Sequence, residues 1–356
     1  MKLRQILPTS ALALVTMAAI ALAQGPQPPS VTKALLEETL ENLAKQFESK
    51  YVFPEVGKKM ADLVRERKAN GHYAKITDGA QLAQALTSDF RAINKDLHYS
   101  VRFYPEKLTG GPPSAQPGAD FFADANRRDK WENGFVRKAE RLDGNVGYVK
   151  FDLFGSTQAC KDAFTAAMQV VKDTDALIID LRTNGGGDPA MVAYVCSYFF
   201  DKKVHLNDIY SRPDDSTESF YTDPEVPGNK FLDRDVFVLT SRRTFSGAEE
   251  CTYNLKNRKR ATIVGETTGG GAHPVMGLRI SDHFIARIPF ARAINPITKT
   301  NWEGTGVSAD ISASSEQALK VAHKEALQRL LPKTQQEDRK SVLNRLIAQL
   351  DADLKG

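Results

Sequence analysis

The chain has 356 residues, of which 41% are hydrophobic and 26% are charged, and its formal net charge is +4. Basic and acidic residues are interspersed, so the composition excludes the basic footprint of a nucleic-acid-binding protein. The length exceeds what a single hydrophobic core usually organises, and we therefore expect one main domain with a smaller one attached.

The N-terminus has the pattern of a secretory signal. Lys2 and Arg4 precede an apolar run over residues 6–21, and Ala21-Leu22-Ala23 provides a cleavage site. The run is short for a membrane span of about 20 residues. We predict a signal peptide over residues 1–23, cleavage after Ala23, no stable membrane span afterwards, and a periplasmic or secreted mature protein.

Helical periodicity dominates the first third of the chain. Apolar residues recur at helical spacing between residues 31 and 67, with a break at Tyr51–Pro54, and again over residues 79–93. We interpret residues 24–105 as a small N-terminal helical domain. The Gly- and Pro-rich residues 106–133 are typical of a linker or loop.

Strands and helices alternate in the centre of the chain. Two strand-like runs around Asp143-Gly144 predict a β-hairpin over residues 134–151. The next predicted elements are a helix over 158–172, a strand over 176–181, a helix over 189–200, strands over 236–240 and 261–265, and further strands over 276–290. This alternation predicts an α/β layer around a mostly parallel sheet, in a core domain over residues 134–314.

The C-terminal residues 315–356 are predicted to form a helical tail. Leu343, Ile347, Leu350 and Leu354 give it an apolar stripe. Such a stripe usually packs against the body of its own protein. The alternative is pairing with another copy of the chain, which makes an oligomer through this helix possible.

Three cysteines, Cys160, Cys196 and Cys251, are too widely spaced for a metal-binding pattern. An odd number leaves at least one thiol unpaired, so at most one disulfide can form. We expect Cys196 and Cys251 to behave as small buried apolar residues.

The segment Thr244–Glu250 places a serine on a tight turn between a predicted strand and a predicted helix. A strand end would hold the Ser246 hydroxyl rigidly, and Gly247 would let a substrate carbonyl approach the backbone. The N–H groups that open the helix can stabilise an oxyanion. The alternative is that Ser246 only caps the helix, and the turn alone favours that interpretation.

Two more glycine-rich loops follow predicted strands. One contains Gly185, Gly186 and Gly187, and the other contains Gly269, Gly270 and Gly271. Loops of this kind can present N–H groups to an anion or a carbonyl oxygen. The first loop lacks the Gly-Lys-Ser/Thr ending of a phosphate loop and the spacing of a dinucleotide site, so a nucleotide ligand is not indicated.

Four motifs in order carry a specific resemblance. They are Asp-Leu-Arg-x-Asn-x-Gly-Gly from Asp180, Ser-Gly-Ala-Glu from Ser246, Val-Gly-Glu-x-Thr-x-Gly from Val264 and Glu-Gly-x-Gly-Val-x-x-Asp from Glu303. Together they resemble the tail-specific (carboxy-terminal processing) serine peptidases. The resemblance implies a crotonase-like α/β core of repeated ββα units, a nucleophile at Ser246, and an oxyanion hole built from the backbone N–H groups of Gly247 and Gly186. It also implies a peptide or protein substrate and no metal or organic cofactor.

The better-known branch of that family uses a lysine as general base, at the position that is Gly271 here. No lysine lies between Lys259 and Lys299, so a serine/lysine dyad at this position is excluded. That branch also usually carries a PDZ domain, a module of about 80 to 100 residues, which lies within the common size range of domains. Between Phe103 and Gly134 there is no room for one.

The other branch resembles the tricorn protease core and the interphotoreceptor retinoid-binding protein repeats, and it uses a histidine. Its signature is matched here by Asp96-Leu97-His98-Tyr99-Ser100. The resemblance implies that His98 takes the proton from Ser246 and that Glu303 is a supporting acid. Leu97 stands where this branch has a serine, so any relay through that hydroxyl is missing.

Other residues near these motifs have weaker roles. His273 is a rival base, although capping a turn or lining the substrate site suits it better. Glu249 lies three residues after Ser246 on one helical face and could hydrogen-bond within the site. Glu249, His273, Gly270 and Gly271 are possible substrate-lining residues.

These observations are interpreted as an exported serine peptidase that hydrolyses peptide bonds through an acyl-enzyme. The alternative is a non-catalytic binding protein for an apolar ligand or a peptide on the same fold, since the fold alone does not decide between the two.

Overall fold

A computed structural model of the protein describes residues 29–108 and 126–355. The predicted signal peptide and most of the predicted linker lie outside these residues. Within the described ranges, no helix is both long enough and apolar enough to cross a membrane.

The helices and strands are numbered in chain order. The helices are α1 (Lys33–Lys50), α2 (Pro54–Ala69), α3 (Gly79–Asn94), α4 (Thr157–Val170), α5 (Pro189–Ser197), α6 (Gly247–Asn257), α7 (Ala318–Leu330) and α8 (Glu337–Lys355). The strands are β1 (Ser100–Phe103), β2 (Val136–Leu142), β3 (Val146–Phe151), β4 (Ala176–Asp180), β5 (His205–Ser211), β6 (Ser216–Tyr221), β7 (Asp235–Thr240), β8 (Thr262–Gly265), β9 (Val275–Ser281), β10 (Phe284–Pro289), β11 (Ala291–Ile294) and β12 (Ile311–Ser312).

Helices α1, α2 and α3 are the three helices predicted from the periodicity of the N-terminal segment. Each begins at a local signal in the sequence: the Thr32 side chain accepts the N–H of Leu35, Pro54 occupies the first turn of α2, and the Asp78 side chain accepts the N–H of Gln81. Caps of these types satisfy or remove N–H groups that a helix start leaves unpaired.

The N-terminal helices pack against a three-stranded antiparallel sheet of order β1-β10-β9. Phe47 of α1, Phe90 of α3, Tyr99, Leu278 of β9 and Phe284 of β10 are buried in one hydrophobic cluster. The helices therefore share their core with two strands, β9 and β10, that begin more than 180 residues after the end of α3.

The central sheet has six strands in the order β12-β8-β7-β4-β3-β2, and all its pairs are parallel except β2–β3. This arrangement confirms the predicted hairpin and the mostly parallel sheet. β4 is buried at every residue, as expected for a central strand covered by packed elements on both faces. The protein is thus a mixed α/β fold, in which the strand ends of β4, β7 and β8 lead into the three glycine-containing loops.

The apolar stripe of the C-terminal helix α8 packs against the body of its own chain. Leu343 is fully buried, and Leu346, Ile347 and Leu350 contact the cluster that α7 forms against the central sheet. This packing accounts for Leu343, Ile347 and Leu350 of the stripe without a second copy of the chain, and the described residues give no support for an oligomer through α8.

All three cysteines are buried free thiols. The Sγ atoms of Cys196 and Cys251 lie 3.9 Å apart, which is too far for a bond between them. Burial raises the pKa of Cys160 to about 11. The expectation that Cys196 and Cys251 are buried residues is confirmed.

Candidate active site

Ser246 lies on the turn between β7 and α6 in a strained backbone conformation. Its φ is +55° and its ψ is −122°, a region that residues with a side chain rarely occupy. Such strain persists where surrounding contacts enforce it, and it is concentrated at functional sites. Ser246 is partly exposed and lines a cavity of about 460 Å³.

The buried Glu249 side chain holds this turn in place through hydrogen bonds. Its carboxylate accepts hydrogen bonds from the N–H of Ser246 at 2.8 Å, from the Thr268 hydroxyl at 2.5 Å, and from the N–H groups of Gly270 and Gly271 at 2.6 and 2.8 Å. Burial raises the pKa of this carboxyl group. Glu249 thus hydrogen-bonds within the site, but its assignment as a substrate-lining residue is wrong because it has no exposed surface. Of the two glycines, Gly271 lines the cavity and Gly270 does not.

The first glycine-rich loop packs directly against the Ser246 turn. The N–H of Gly186 donates to the Asn184 side chain at 2.9 Å, and the Asn184 carbonyl accepts the N–H of Phe245 at 3.1 Å. The prediction that the Gly186 N–H faces an oxyanion is therefore wrong, because that donor is already bonded. The N–H groups of Gly187 and Gly247 have no hydrogen-bond partner among the described residues, and both glycines line the cavity.

His98 lines the same cavity as Ser246. Its ring lies against Phe245, with 4.6 Å between ring centroids. The turn that carries it is fixed by three hydrogen bonds: the N–H of His98 donates to Asp96 at 2.9 Å, and Arg91 donates to the carbonyl oxygens of Leu97 and Tyr99 on either side. Burial lowers the pKa of His98 to about 4, so the imidazole is neutral near pH 7. Its Nδ1 has no hydrogen-bond partner within the described chain.

A network of two carboxylates and one imidazole, formed by Asp96, Glu303 and His273, lies next to His98. The Glu303 carboxylate accepts the N–H of Ala272 at 2.6 Å and lies 3.4 Å from Nδ1 of His273, which is 2.8 Å from the Asp96 carboxylate. One ring nitrogen of His98 and one oxygen each of Asp96 and Glu303 lie within 4.8 Å of one another. The pKa of Glu303 is raised to about 7, mainly because the carboxyl group is buried and also because the charge of Asp96 lies nearby.

The structure therefore brings Ser246 and His98 together in one cavity, while Glu303 and His273 line a neighbouring cavity of about 570 Å³. Sequence reasoning missed Asp96, which received no role although it stands two residues before His98. It also missed Gly187, the last glycine of its loop.

Asp96, His98 and Glu303 are also the residues best placed to share a cation within the described ranges. A tetrahedral zinc ion with bonds of about 2.0 Å holds its ligands roughly 3.3 Å apart. The 4.8 Å spread of these donors is wider. The Asp96 and Glu303 carboxylates instead have closer polar partners, the Nδ1 of His273 and the N–H of Ala272 respectively.

The raised pKa of Glu303 predicts a dependence of stability on pH. The folded protein holds this proton up to about pH 7, whereas the unfolded chain releases it near 4.5. The folded state therefore binds more protons between these values, so its free energy of unfolding falls as pH rises through 7. Urea unfolding of the wild-type protein and of Glu303→Gln at pH 6.5 and 8 measures this.

The difference between the two proteins isolates Glu303 from other titrating groups. We expect the loss of stability between pH 6.5 and 8 to be smaller in Glu303→Gln, because glutamine keeps the neutral acceptor for the Ala272 N–H. His98 also titrates at the lower end of this window, because the unfolded imidazole has a pKa of 6.5, but its contribution is common to both proteins and cancels in the difference between them. Equal losses in the two proteins would show that Glu303 is already ionised at pH 6.5.

Comparison with known proteins gives the class of this fold and site. A family model described as peptidase family S41 matches residues 145–313, and another, described as the N-terminal domain of peptidase S41 in eukaryotic IRBP, matches residues 30–124. The chain belongs to peptidase family S41.

The curated relatives are similar over part of their length. A carboxyl-terminal-processing peptidase 2 of Arabidopsis thaliana is 26% identical over 167 residues, which are 46% of this chain and 31% of the relative. A C-terminal processing peptidase of Tetradesmus obliquus is 29% identical over 48% of this chain and 36% of the relative. A carboxyl-terminal-processing protease of Synechocystis is 29% identical over 35% of this chain and 28% of the relative. The chain thus spans about a third of the length of these relatives.

Solved structures share the fold. A candidate peptidase of Parabacteroides merdae superposes with a TM-score of 0.56 at 18% identity, covering 82% of this chain and 96% of the other. A lipoprotein of Streptococcus agalactiae gives a TM-score of 0.53 at 13% identity, and the superposition covers 86% of this chain and 100% of the lipoprotein. The tricorn protease gives a TM-score of 0.51 at 13% identity, and the superposition covers 89% of this chain and 37% of the tricorn protease. At these identities the likeness concerns the fold alone.

Proposed function

We propose that the protein is an exported serine peptidase that hydrolyses peptide bonds through an acyl-enzyme on Ser246. The observation that carries this proposal is the convergence on one cavity of a serine on a strained turn, a neutral histidine and two free backbone N–H groups. These are the parts that acyl transfer requires: a nucleophile, a base and an oxyanion hole. The names of the relatives, all C-terminal processing peptidases or proteases, support the same reaction.

In the proposed mechanism His98 accepts the proton of the Ser246 hydroxyl as Oγ attacks the scissile carbonyl. The oxyanion is held by the N–H groups of Gly247 and Gly187, with Gly187 in place of the Gly186 first expected. His98 then donates its proton to the leaving amine. A water molecule, deprotonated by His98, hydrolyses the acyl-enzyme and restores Ser246.

Asp96 and Glu303 act as positioning residues for His98. The residue directly before the histidine is Leu97, whose side chain is 45% exposed and carries no hydroxyl. The two carboxyl groups within 4.8 Å are therefore left to stabilise the imidazolium that forms during the reaction. His273, which contacts both of them, holds the pair together rather than serving as the base.

Three further parts of the proposal concern the whole chain. The parallel sheet with its alternating helices supports a crotonase-like core over residues 134–314. The N-terminal helical segment over 24–105 shares a hydrophobic cluster with β9 and β10 of that core, and the tail over 315–356 packs against the central sheet. The pattern of residues 1–23 supports export to the periplasm or beyond the cell, with cleavage after Ala23.

Labelling with a serine-directed fluorophosphonate tests the proposed nucleophile. We expect one mole of label per mole of wild-type protein, attached to the peptide that contains Ser246, and no label in Ser246→Ala. Ser241→Ala is a matched control, because Ser241 directly follows the same strand but is buried, and its hydroxyl donates to the Arg182 carbonyl. Folded wild-type protein that takes up no label would favour the non-catalytic binding protein instead.

A further inference from the structure

The cavity that contains Ser246 also contains an arginine without an acidic partner. Arg287 lies on β10, directly opposite Ser100 of β1, and its side chain lines the cavity together with Ser246 and His98. The residue is partly buried, and no ion pair between its guanidinium and a carboxylate occurs among the described residues.

The surroundings of Arg287 make its charge costly. Burial is the main cause that lowers its pKa, and the like charges of Arg102 and Arg91 act in the same direction. Glu250 is the acidic residue that lines this cavity, but burial raises its pKa to about 8. Glu250 is therefore mostly uncharged at pH 7 and does not neutralise the arginine.

A partly desolvated cation without a counter-ion is unfavourable, and an anion that enters the cavity would relieve this cost. A guanidinium presents its N–H groups in a planar fork, and a carboxylate accepts two of them in parallel. Peptides carry carboxylates at their C-terminus and on Asp and Glu side chains. A peptide carboxylate that enters the cavity would therefore supply the counter-ion that Arg287 lacks among the described residues.

We propose that Arg287 binds a carboxylate of the peptide substrate and thereby selects peptides with an anionic group close to the scissile bond. Because Arg287 and Ser246 line one cavity of about 460 Å³, the carboxylate belongs to a residue near the cleaved bond. Cleavage of such peptides rests on the proposed peptidase function, whereas binding of the carboxylate does not.

Affinity selection with a protein that does not cleave separates these two statements. Ser246→Ala is incubated with a pool of random N-acetylated hexapeptides, prepared once with free C-terminal carboxylates and once as C-terminal amides, and the retained peptides are counted by mass spectrometry. We expect anionic peptides to be enriched about tenfold over neutral ones, in line with a charge-assisted bidentate contact. The enrichment should disappear in Ser246→Ala/Arg287→Ala.

The two pools distinguish the source of the carboxylate. Enrichment of the acid pool over the amide pool identifies the C-terminus, and enrichment of Asp- or Glu-containing amides identifies a side chain. Ser246→Ala/Arg102→Ala is the matched control, because Arg102 carries the same charge on the adjacent strand β1 but does not line the cavity. This control should select the same peptides as Ser246→Ala.

Selection of the same peptides with and without Arg287 overturns the proposal, and so does the absence of any preference for anionic peptides in Ser246→Ala. Equal losses in the Arg287 and Arg102 variants would also overturn it, since they would indicate a general effect of positive charge. Failure of the peptidase function has a different signature, namely no fluorophosphonate labelling of the wild-type protein while the carboxylate preference persists.

Discussion

Replacement of His98 by alanine is expected to slow fluorophosphonate labelling of Ser246 by roughly 10²- to 10⁴-fold, the usual contribution of a general base. The reason is that the neutral imidazole of His98 lines the Ser246 cavity, while no lysine occupies the position that a serine/lysine dyad would use. The measurement is the second-order labelling rate at pH 7.5. His98→Gln is a second variant that retains more of the packing against Phe245.

His273→Ala is the matched control for this experiment. It removes the rival imidazole, which contacts Asp96 but lines the neighbouring cavity. We expect its labelling rate to fall by less than about tenfold, because the loss of a positioning residue leaves the base itself in place. A large loss in His273→Ala together with a small loss in His98→Ala would reverse the two assignments. Thermal unfolding of each variant shows whether it is folded.

Replacement of Gly186 by alanine is expected to disrupt the site through the backbone. A Cβ atom at this position would lie 2.7 Å from the Gly247 nitrogen, the Phe245 carbonyl oxygen and the Ser246 Cβ, and its φ of +101° is unfavourable for alanine. Strain and overpacking each cost roughly 1–3 kcal/mol. We therefore expect a loss of about 2–6 kcal/mol in the free energy of unfolding and a nearly complete loss of labelling.

Gly185→Ala is the matched control within the same loop. A Cβ atom at Gly185 meets nothing within 4 Å, and its φ is not in the left-handed region. Its stability should remain within about 1 kcal/mol of the wild-type value, as for most exposed substitutions, and labelling should persist. If Gly186→Ala labels as fast as Gly185→Ala, the contact between this loop and the Ser246 turn is not essential.

Much of the fold could be predicted from local patterns. The three N-terminal helices, the β2–β3 hairpin and the alternation around β4, β7 and β8 all follow from apolar periodicity and from turn residues. The hairpin of β5 and β6 was not predicted, because β6 is exposed along most of its length and has no apolar alternation to reveal it. The pairing of β1 with β10 joins segments too distant in sequence for any local signal.

In the candidate site, too, some features could be predicted from the sequence and others depend on contacts formed by folding. Motif order located Ser246, His98 and Glu303, but it could not show which glycine of the first loop has a free N–H, since that depends on backbone dihedral angles and on the Asn184 side chain. The contact between Asp96 and His273 spans 177 positions. Arg287 carries a visible signal, a lone arginine within the apolar run Phe284–Pro289, but its lack of a counter-ion is a property of the folded chain.

The β1-β10-β9 sheet also determines when the site can assemble during synthesis. The apolar faces of α1 and α3 are covered by Leu278 and Phe284, which leave the ribosome after the Ser246 turn has been made. Contacts of such high sequence separation form late. The Ser246 turn therefore meets His98 in its final arrangement only after β9 and β10 have joined β1, which makes the candidate site one of the late parts of the protein to form.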